Sequence, residues 1–182
     1  SFLGPINYEF FINKLEENRY VPNALLFGNR ISIQPHSRLG ISLFRTAQFG
    51  GDGRNLNTKI FIDMLLGKDN YYADDLNKEN EPGNQIGGMD FNLLLLQKKN
   101  LSLYGQIAGE DESRYLPSKT FYSLGLGYSW DQLDIKKINL EFSDTGSRQK
   151  NTTYNHGIFK NGYRYYGFPI GSAYDADSKI VS

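Results

Sequence analysis

Carboxylates, guanidinium groups and aromatic rings gather at a few places along this sequence where they have the means to act on a ligand. Glu110-Asp111-Glu112 sets three carboxylates in a row. A glycosidase needs two carboxyl groups held roughly 5–10 Å apart. Neighbours on one strand point to opposite faces, however, and nothing in the sequence marks a partner acid. The run reads as a strand end opening into a loop, and no catalytic residue is assigned. The chain has two histidines, His36 and His156, and no cysteine. Thiolate sites and disulfides are therefore excluded, and no paired-imidazole metal site is visible. Gly50-Gly-Asp-Gly-Arg54 lacks the Lys-Ser/Thr ending of a phosphate loop and runs into no helix directly. Asp175-Ala-Asp-Ser178 has the opening of a calcium loop without its glycine and closing glutamate. No metal and no cofactor are expected.

Two other clusters suit a polar, ring-shaped ligand. Tyr154-Asn-His156 and Tyr163-Arg-Tyr-Tyr166 combine aromatic faces, which stack on sugar C–H surfaces, with donors for hydroxyls or carboxylates. Arg45 and Arg54 flank the glycine-rich run and offer guanidinium groups to acidic sugars; a salt-bridged loop is the equal alternative. The 20 basic and 20 acidic residues cancel to a net charge of zero, so nothing draws the chain as a whole to nucleic acid.

The elements that must position these residues repeat with a period of two. Ile6, Tyr8, Phe10 and Ile12 share one face, opposite Asn7, Glu9 and Asn13. Leu25, Phe27, Ile31 and Ile33 oppose Arg30 and Ser32; Leu39, Ile41 and Leu43 oppose Arg38, Gly40 and Ser42. Met89, Phe91, Leu93 and Leu95 oppose Asp90 and Asn92, and Leu101, Leu103 and Ile107 oppose Ser102, Tyr104 and Gln106. Tyr122 to Trp130 and Ile138 to Phe142 alternate in the same way. The spacing predicts about seven antiparallel strands of the roughly 9–11 residues that cross a bilayer when tilted. Asn29 falls on an apolar face, and the third strand changes parity at Phe44–Arg45, which predicts a bulge or departure from the hydrocarbon layer. Ile60, Met64 and Leu65 have helical spacing, with Thr58 or Asn57 as cap, so a short helix is expected inside a long loop.

Loop length separates a membrane barrel from a soluble one. Gln34–Ser37, Gln97–Asn100 and Asp131–Asp134 are short; Leu15–Asn23, Gly50–Asn84, Glu110–Ser118 and Thr145 to the end are long. Strict alternation places all short turns at one rim and all long loops at the other, as in outer-membrane barrels. One face is nearly uncharged, while Glu9, Arg30, Arg38, Asp90, Lys137 and Glu141 line the other, which suits a wet lumen. Tyr128 and Trp130 stand where an interfacial girdle is expected. The mean hydropathy of −0.52 is compatible with this, because alternating faces average out as polar. The predicted fold is all-β: an up-and-down antiparallel part of a transmembrane β-barrel, with residues 1–182 belonging to one barrel domain. An odd, open sheet leaves two unpaired edges in lipid, so the chain is expected to be an internal segment of a longer barrel.

Several stretches go beyond pattern. Phe44-Arg-Thr-Ala-Gln-Phe-Gly-Gly-Asp-Gly-Arg54, Gly67-Lys-Asp-Asn70 and Glu81-Pro-Gly-Asn-Gln-Ile-Gly-Gly-Met-Asp-Phe91 resemble the Wzi family of capsule assembly proteins. So do Tyr104-Gly-Gln-Ile-Ala-Gly-Glu-Asp-Glu112, Leu140-Glu-Phe-Ser-Asp-Thr145 and Tyr154-Asn-His-Gly-Ile-Phe-Lys-Asn-Gly-Tyr163. The resemblance covers about Arg38 to Ser178 in the family's order. It implies a large outer-membrane barrel; together with the loop sorting, a monomeric barrel in outer-membrane lipid with its long loops outside is expected. It also implies a non-enzymatic lectin that holds capsular or exopolysaccharide at the cell surface. Arg45, Arg54, Glu110, Asp111, His156, Tyr163 and Arg164 are the candidate glycan contacts. A porin-like transport barrel is the alternative, and a soluble glycosidase or glycan-binding sandwich is disfavoured by the sorting of the loops.

Overall fold

The computed structural model describes residues 2–65, 83–97, 100–110, 112–113, 116–117, 119–129, 137–146, 156–171 and 179–182. Its main sheet has eight strands, in the order β1 (Ile6–Lys14), β2 (Leu25–His36), β3 (Leu39–Phe49), β4 (Asn84–Leu96), β5 (Leu101–Glu110), β8 (Thr120–Ser129), β9 (Lys137–Asp144) and β12 (Lys179–Val181). Every neighbouring pair is antiparallel. Two small hairpins accompany it, β6 (Glu112–Ser113) with β7 (Leu116–Pro117) and β10 (Arg164–Tyr165) with β11 (Phe168–Pro169). One helix, α1 (Thr58–Leu65), lies in the connection between β3 and β4. Among the described residues no helix is long and apolar enough to cross a membrane.

The alternation read from the sequence is the alternation of the ladder. Ile31 pairs with Leu43, Leu43 with Met89, Met89 with Ile107, and Ile107 with Tyr122, so one row of apolar side chains runs across five strands on a single face. Most members of this face are exposed, including Tyr8, Phe10, Ile31, Leu43, Met89, Leu124, Leu126 and Leu140. A continuous exposed apolar face is not tolerated in water; it is what lipid requires. The opposite face carries Arg30, Ser42 and Asp90 as a connected group. Arg30 donates to Ser42 Oγ at 2.9 Å and to Asp90 Oδ1 at 2.8 Å, reaching over β3 from β2 to β4. Glycines on this face admit large neighbours: a Cβ at Gly125 would overlap the Tyr104 ring. Phe11 of β1 and Ser143 of β9 line one cavity of about 490 Å³, so the sheet curls around its polar face.

One expectation needs correction, and one pair of alternatives is narrowed. The period-two pattern predicts about seven strands; the main sheet has an eighth, β12, in the stretch after Thr145 where the pattern predicts only a long loop. Of the two alternatives at Phe44–Arg45, the bulge is absent, because β3 keeps an unbroken register with β4 from Leu39 to Gln48. Register shifts occur instead at Ile33/His36 and Leu94/Leu96, beside short turns. What changes at Phe44 is the surroundings of each face. Near the long-loop rim the inner face becomes apolar, with Leu26, Phe44, Ile86, Ala108 and Phe121, while the outer face takes Asn29, Arg45 and Gln85. A folded-in loop replaces water inside, and α1 replaces lipid outside. The predicted helix is present, and Asn57 is its cap, with Oδ1 accepting the Ile60 N–H at 2.9 Å. Trp130, the Asp131–Asp134 turn and Gly67 fall outside the described residues.

The face assignment has a direct mutational consequence. Leu124→Arg, on the exposed apolar face near the middle of β8, is expected to lower the stability of the lipid-inserted protein by about 2–4 kcal/mol. Asn92→Arg, on the polar face beside Tyr104, is expected to cost less than about 1 kcal/mol. Denaturant unfolding in vesicles measures both; equal losses contradict the assignment.

Candidate functional site

Residues 156–171 fold back across the inner face at the long-loop rim and form a plug. Phe159 and Tyr163 are buried with Leu15, Val21, Ala24, Leu26, Ile86 and Ala108, and Ile158, Ile170, Phe44 and Phe121 pack around them. Burying two large aromatic side chains stabilises the plug by about 1.5–3 kcal/mol each. Polar contacts then fix its position. Gly162, at φ 58°, turns its carbonyl toward both Arg19 Nη2, at 3.1 Å, and Gln48 Nε2, at 2.6 Å. The Tyr163 hydroxyl donates to the Asn84 carbonyl at the start of β4, at 2.9 Å.

Arg19 is the main clamp. Its side chain is 1% exposed, and its guanidinium meets Glu16 at 3.3 Å and the Arg164 carbonyl at 3.1 Å as well as Gly162. Burial pulls the Arg19 pKa below its ordinary value, while the charge of Glu16 and its hydrogen bond oppose that shift. Desolvating a guanidinium is costly, and here a carboxylate and two carbonyls replace the lost water. The backbone adds a further tie, since Tyr20 N–H donates to Asn161 Oδ1 at 2.7 Å.

The sequence-predicted residues are spread around this plug. Arg54 lies over the Phe159 ring, with its guanidinium carbon 5.1 Å from the centroid, so the glycine-rich loop stacks on the plug core. His156 Nδ1 accepts the Ile158 and Phe159 N–H groups at 3.3 and 3.2 Å, organising the turn into the plug. Tyr163 is a buried keystone, and Arg164 donates to the Asn161 carbonyl at 2.9 Å from a half-buried position. Glu110 is buried on the inner face opposite Ile86. Arg45 stands apart: it is on the outer face, where Nη1 donates to the Met64 carbonyl of α1 at 3.3 Å. Asp111 lies outside the described residues. The structure thus brings Arg54, His156, Tyr163 and Arg164 together and leaves Arg45 on the other side of the sheet wall.

Sequence reasoning passed over the residues that surround the plug's outer surface. Asn18, Arg19, Tyr20, Lys160 and Asn161 line a shallow depression of about 400 Å³. Tyr20 is 59% exposed, and the Lys160 ammonium lies 4.2 Å from its ring centroid. Glu16 and Arg19, three apart in an excursion otherwise read as plain loop, were the available signal. Tyr20 and Lys160 meet across 140 residues of chain, and nothing local announces that. Beside them, Tyr165, Tyr166 and Phe168 are exposed on the β10–β11 hairpin, with the two tyrosine rings edge-on at 4.7 Å. Among the described residues, no three His, Asp or Glu side chains gather as a metal-holding group.

The family model described as capsule assembly protein Wzi matches residues 1–181. A solved structure titled as Wzi, an outer-membrane protein involved in group 1 capsule assembly in Escherichia coli and a carbohydrate-binding β-barrel, superimposes with a TM-score of 0.79. It is 30% identical, over 99% of this chain and 38% of that one. A Klebsiella pneumoniae relative, described as an uncharacterized 55.8 kDa protein in the cps region, is 36% identical over 127 residues. That match takes in 69% of this chain and 24% of the relative. The chain therefore spans well under half the length of either protein.

The clamp can be tested without any ligand. Arg19→Met leaves Glu16 buried without its cation and is expected to reduce the local stability of the plug by about 3–5 kcal/mol. Tyr163→Phe, which leaves the Asn84 carbonyl unpaired, is expected to cost about 1–3 kcal/mol. Both should appear as faster hydrogen exchange at the Gly162 amide, which bonds the Phe159 carbonyl at 2.7 Å, with the strand amides unchanged. Unaltered exchange at Gly162 contradicts the clamp.

Proposed function

The chain belongs to the Wzi family of capsule assembly proteins, and from that premise we propose that its long-loop rim holds capsular or exopolysaccharide at the bacterial surface. The barrel lies in the outer membrane with its long loops outside, and it binds polymer rather than transforming it. The carbohydrate binding named for the Escherichia coli barrel supports this reading. The observation that carries it is the depression over the plug, where an exposed tyrosine, an ammonium group and two amides converge. Sugar C–H faces pack on aromatic rings, amides exchange hydrogen bonds with hydroxyls, and Lys160 meets the carboxylate of an acidic sugar. Arg164 and the exposed tyrosines of the β10–β11 hairpin extend the same surface. Arg54 and His156 act in this reading by shaping the plug, with Glu110 and Tyr163 as its floor.

Each exposed contact contributes about 1 kcal/mol, because a sugar exchanges one solvated partner for another. Retention then comes from many weak contacts along a repeating polymer. The transport alternative draws on the charged inner face, where Arg30 and Asp90 meet. The plug lies over that face, and a bilayer recording separates the two readings.

Tyr20→Ala combined with Lys160→Ala is expected to weaken binding of purified barrel to capsular polymer by about 10- to 30-fold, the equivalent of about 2 kcal/mol. Heat-modifiable gel migration should remain that of the native barrel. Unchanged polymer binding by the double variant removes this surface from the site. Planar bilayers containing the full-length protein are expected to show little steady ion conductance; large open-pore steps would favour transport.

A further inference from the structure

Helix α1 is apolar on the side it buries and carries exposed aliphatic residues on the opposite side as well. Ile60 and Met64 are buried, and Met64 joins Phe27, Ala47 and Phe49 in a small cluster with Phe61 and Leu25 beside it. The Phe61 ring lies 6.1 Å from Phe27, edge-on, and 6.0 Å from Phe49. Phe27, Ala47 and Phe49 belong to the outer face of β2 and β3, so the helix is mounted on the outside of the sheet. At 3.6 residues per turn, Ile62 stands diametrically opposite the midpoint of Ile60 and Met64. It is 47% exposed; Leu65, on the same side, and Leu56, just before the helix, are exposed as well. Lys59 and Asp63 form an ion pair of 2.9 Å along the polar flank.

The position of the helix says what this far side meets. Leu43 and Ile31, paired across β2 and β3, are exposed members of the lipid-facing row. The next outward pair on the same strands is Arg45 and Asn29, two residues or about 7 Å further along. Arg45 reaches the Met64 carbonyl in the last turn of α1. The helix therefore begins where the apolar band ends, with the Arg45–Asn29 pair between the two surfaces. This helix turns Ile62 and Leu65 outward beside Thr58 and Lys59, so its exposed side is amphipathic rather than uniformly polar. A helix with a narrow polar flank and exposed aliphatic residues suits the boundary between headgroups and acyl chains. A long cationic side chain such as Arg45 is at home at the same depth.

We propose that α1 is an interfacial element, with Ile62, Leu65 and Leu56 immersed at the headgroup–acyl boundary of the bilayer leaflet on the long-loop side. The barrel's depth and tilt in the membrane are then fixed partly by this helix, outside the strand ladder. The inference rests on the outer-membrane reading above.

Spin labelling tests it. The chain contains no cysteine, so Ile62→Cys, Ile31→Cys and Tyr20→Cys each introduce one label site into it. The full-length protein would be reconstituted in phosphatidylethanolamine–phosphatidylglycerol vesicles, and collision of each nitroxide with oxygen and with a water-soluble nickel chelate compared. The expected result is a lipid-type response at position 62, with oxygen favoured over nickel as at position 31, and an aqueous response at position 20. A nickel-accessible label at 62 with a lipid-type label at 31 overturns the proposal and leaves the barrel reading intact. A label at 62 shielded from both reagents means that protein covers the helix, and this also overturns it. An aqueous response at 31 overturns the membrane reading itself.

Discussion

A peptide group inside hydrocarbon has no water to bond, so each N–H and C=O in the membrane-crossing part must find its partner in a neighbouring strand. The antiparallel ladder from β1 to β12 meets that constraint for the strands between its two edges, and the rest of the molecule follows from it. A ladder fixes period two, and period two commits every second side chain to lipid. The remaining side chains face inward, where Arg30, Ser42 and Asp90 bond one another. Antiparallel order in turn collects the long connections at one rim. The proposed binding surface lies at that rim, where backbone has freedom to leave the ladder and still reach water or a partner.

The rim solves a second problem of the same kind. Long loops over a lumen carry backbone groups that the ladder does not satisfy, and the plug satisfies them with side chains. The carbonyls of Gly162 and Arg164 are bonded by Arg19, and Gln48 adds a second donor at Gly162. The apolar collar of Leu26, Ile86 and Ala108 then removes Phe159 and Tyr163 from water. The plug, tied at several points, carries its outer residues as a preformed surface, which in the proposed reading lowers the ordering cost of holding a flexible polymer.

The strands were legible because lipid enforces alternation, and rows such as Tyr122, Leu124, Leu126 and Tyr128 can be read directly. At Phe44–Arg45 the same reading leaves a bulge and a departure from the hydrocarbon layer as equal alternatives, for a physical reason. Above that level the inner face packs on the plug and the outer face on α1, so the two faces exchange character while the register continues. A swap of surroundings and a bulge leave the same mark in a sequence. The β12 strand escaped notice because three residues are too few to show a period. At the site, His156, Tyr163 and Arg164 could be picked out by type. Their separation into supports and exposed groups depends on Arg19 and Asn84, which are distant in sequence and ordinary in composition. The depression between Tyr20 and Lys160 is a product of the plug's docking and exists nowhere in the local sequence.

The central claim is that polymer is held on the outer surface of the plug, on the long-loop side of the barrel. Photo-crosslinking tests it most directly: capsular oligosaccharide bearing a diazirine is bound to the full-length protein, irradiated, and the adducts are mapped by mass spectrometry. The account predicts adducts within residues 15–24 and 156–171, competed away by unlabelled polymer. Adducts confined to lumen-facing strand positions such as Arg30, Asp90 and Glu141, or to the short turn at His36–Arg38, would contradict it.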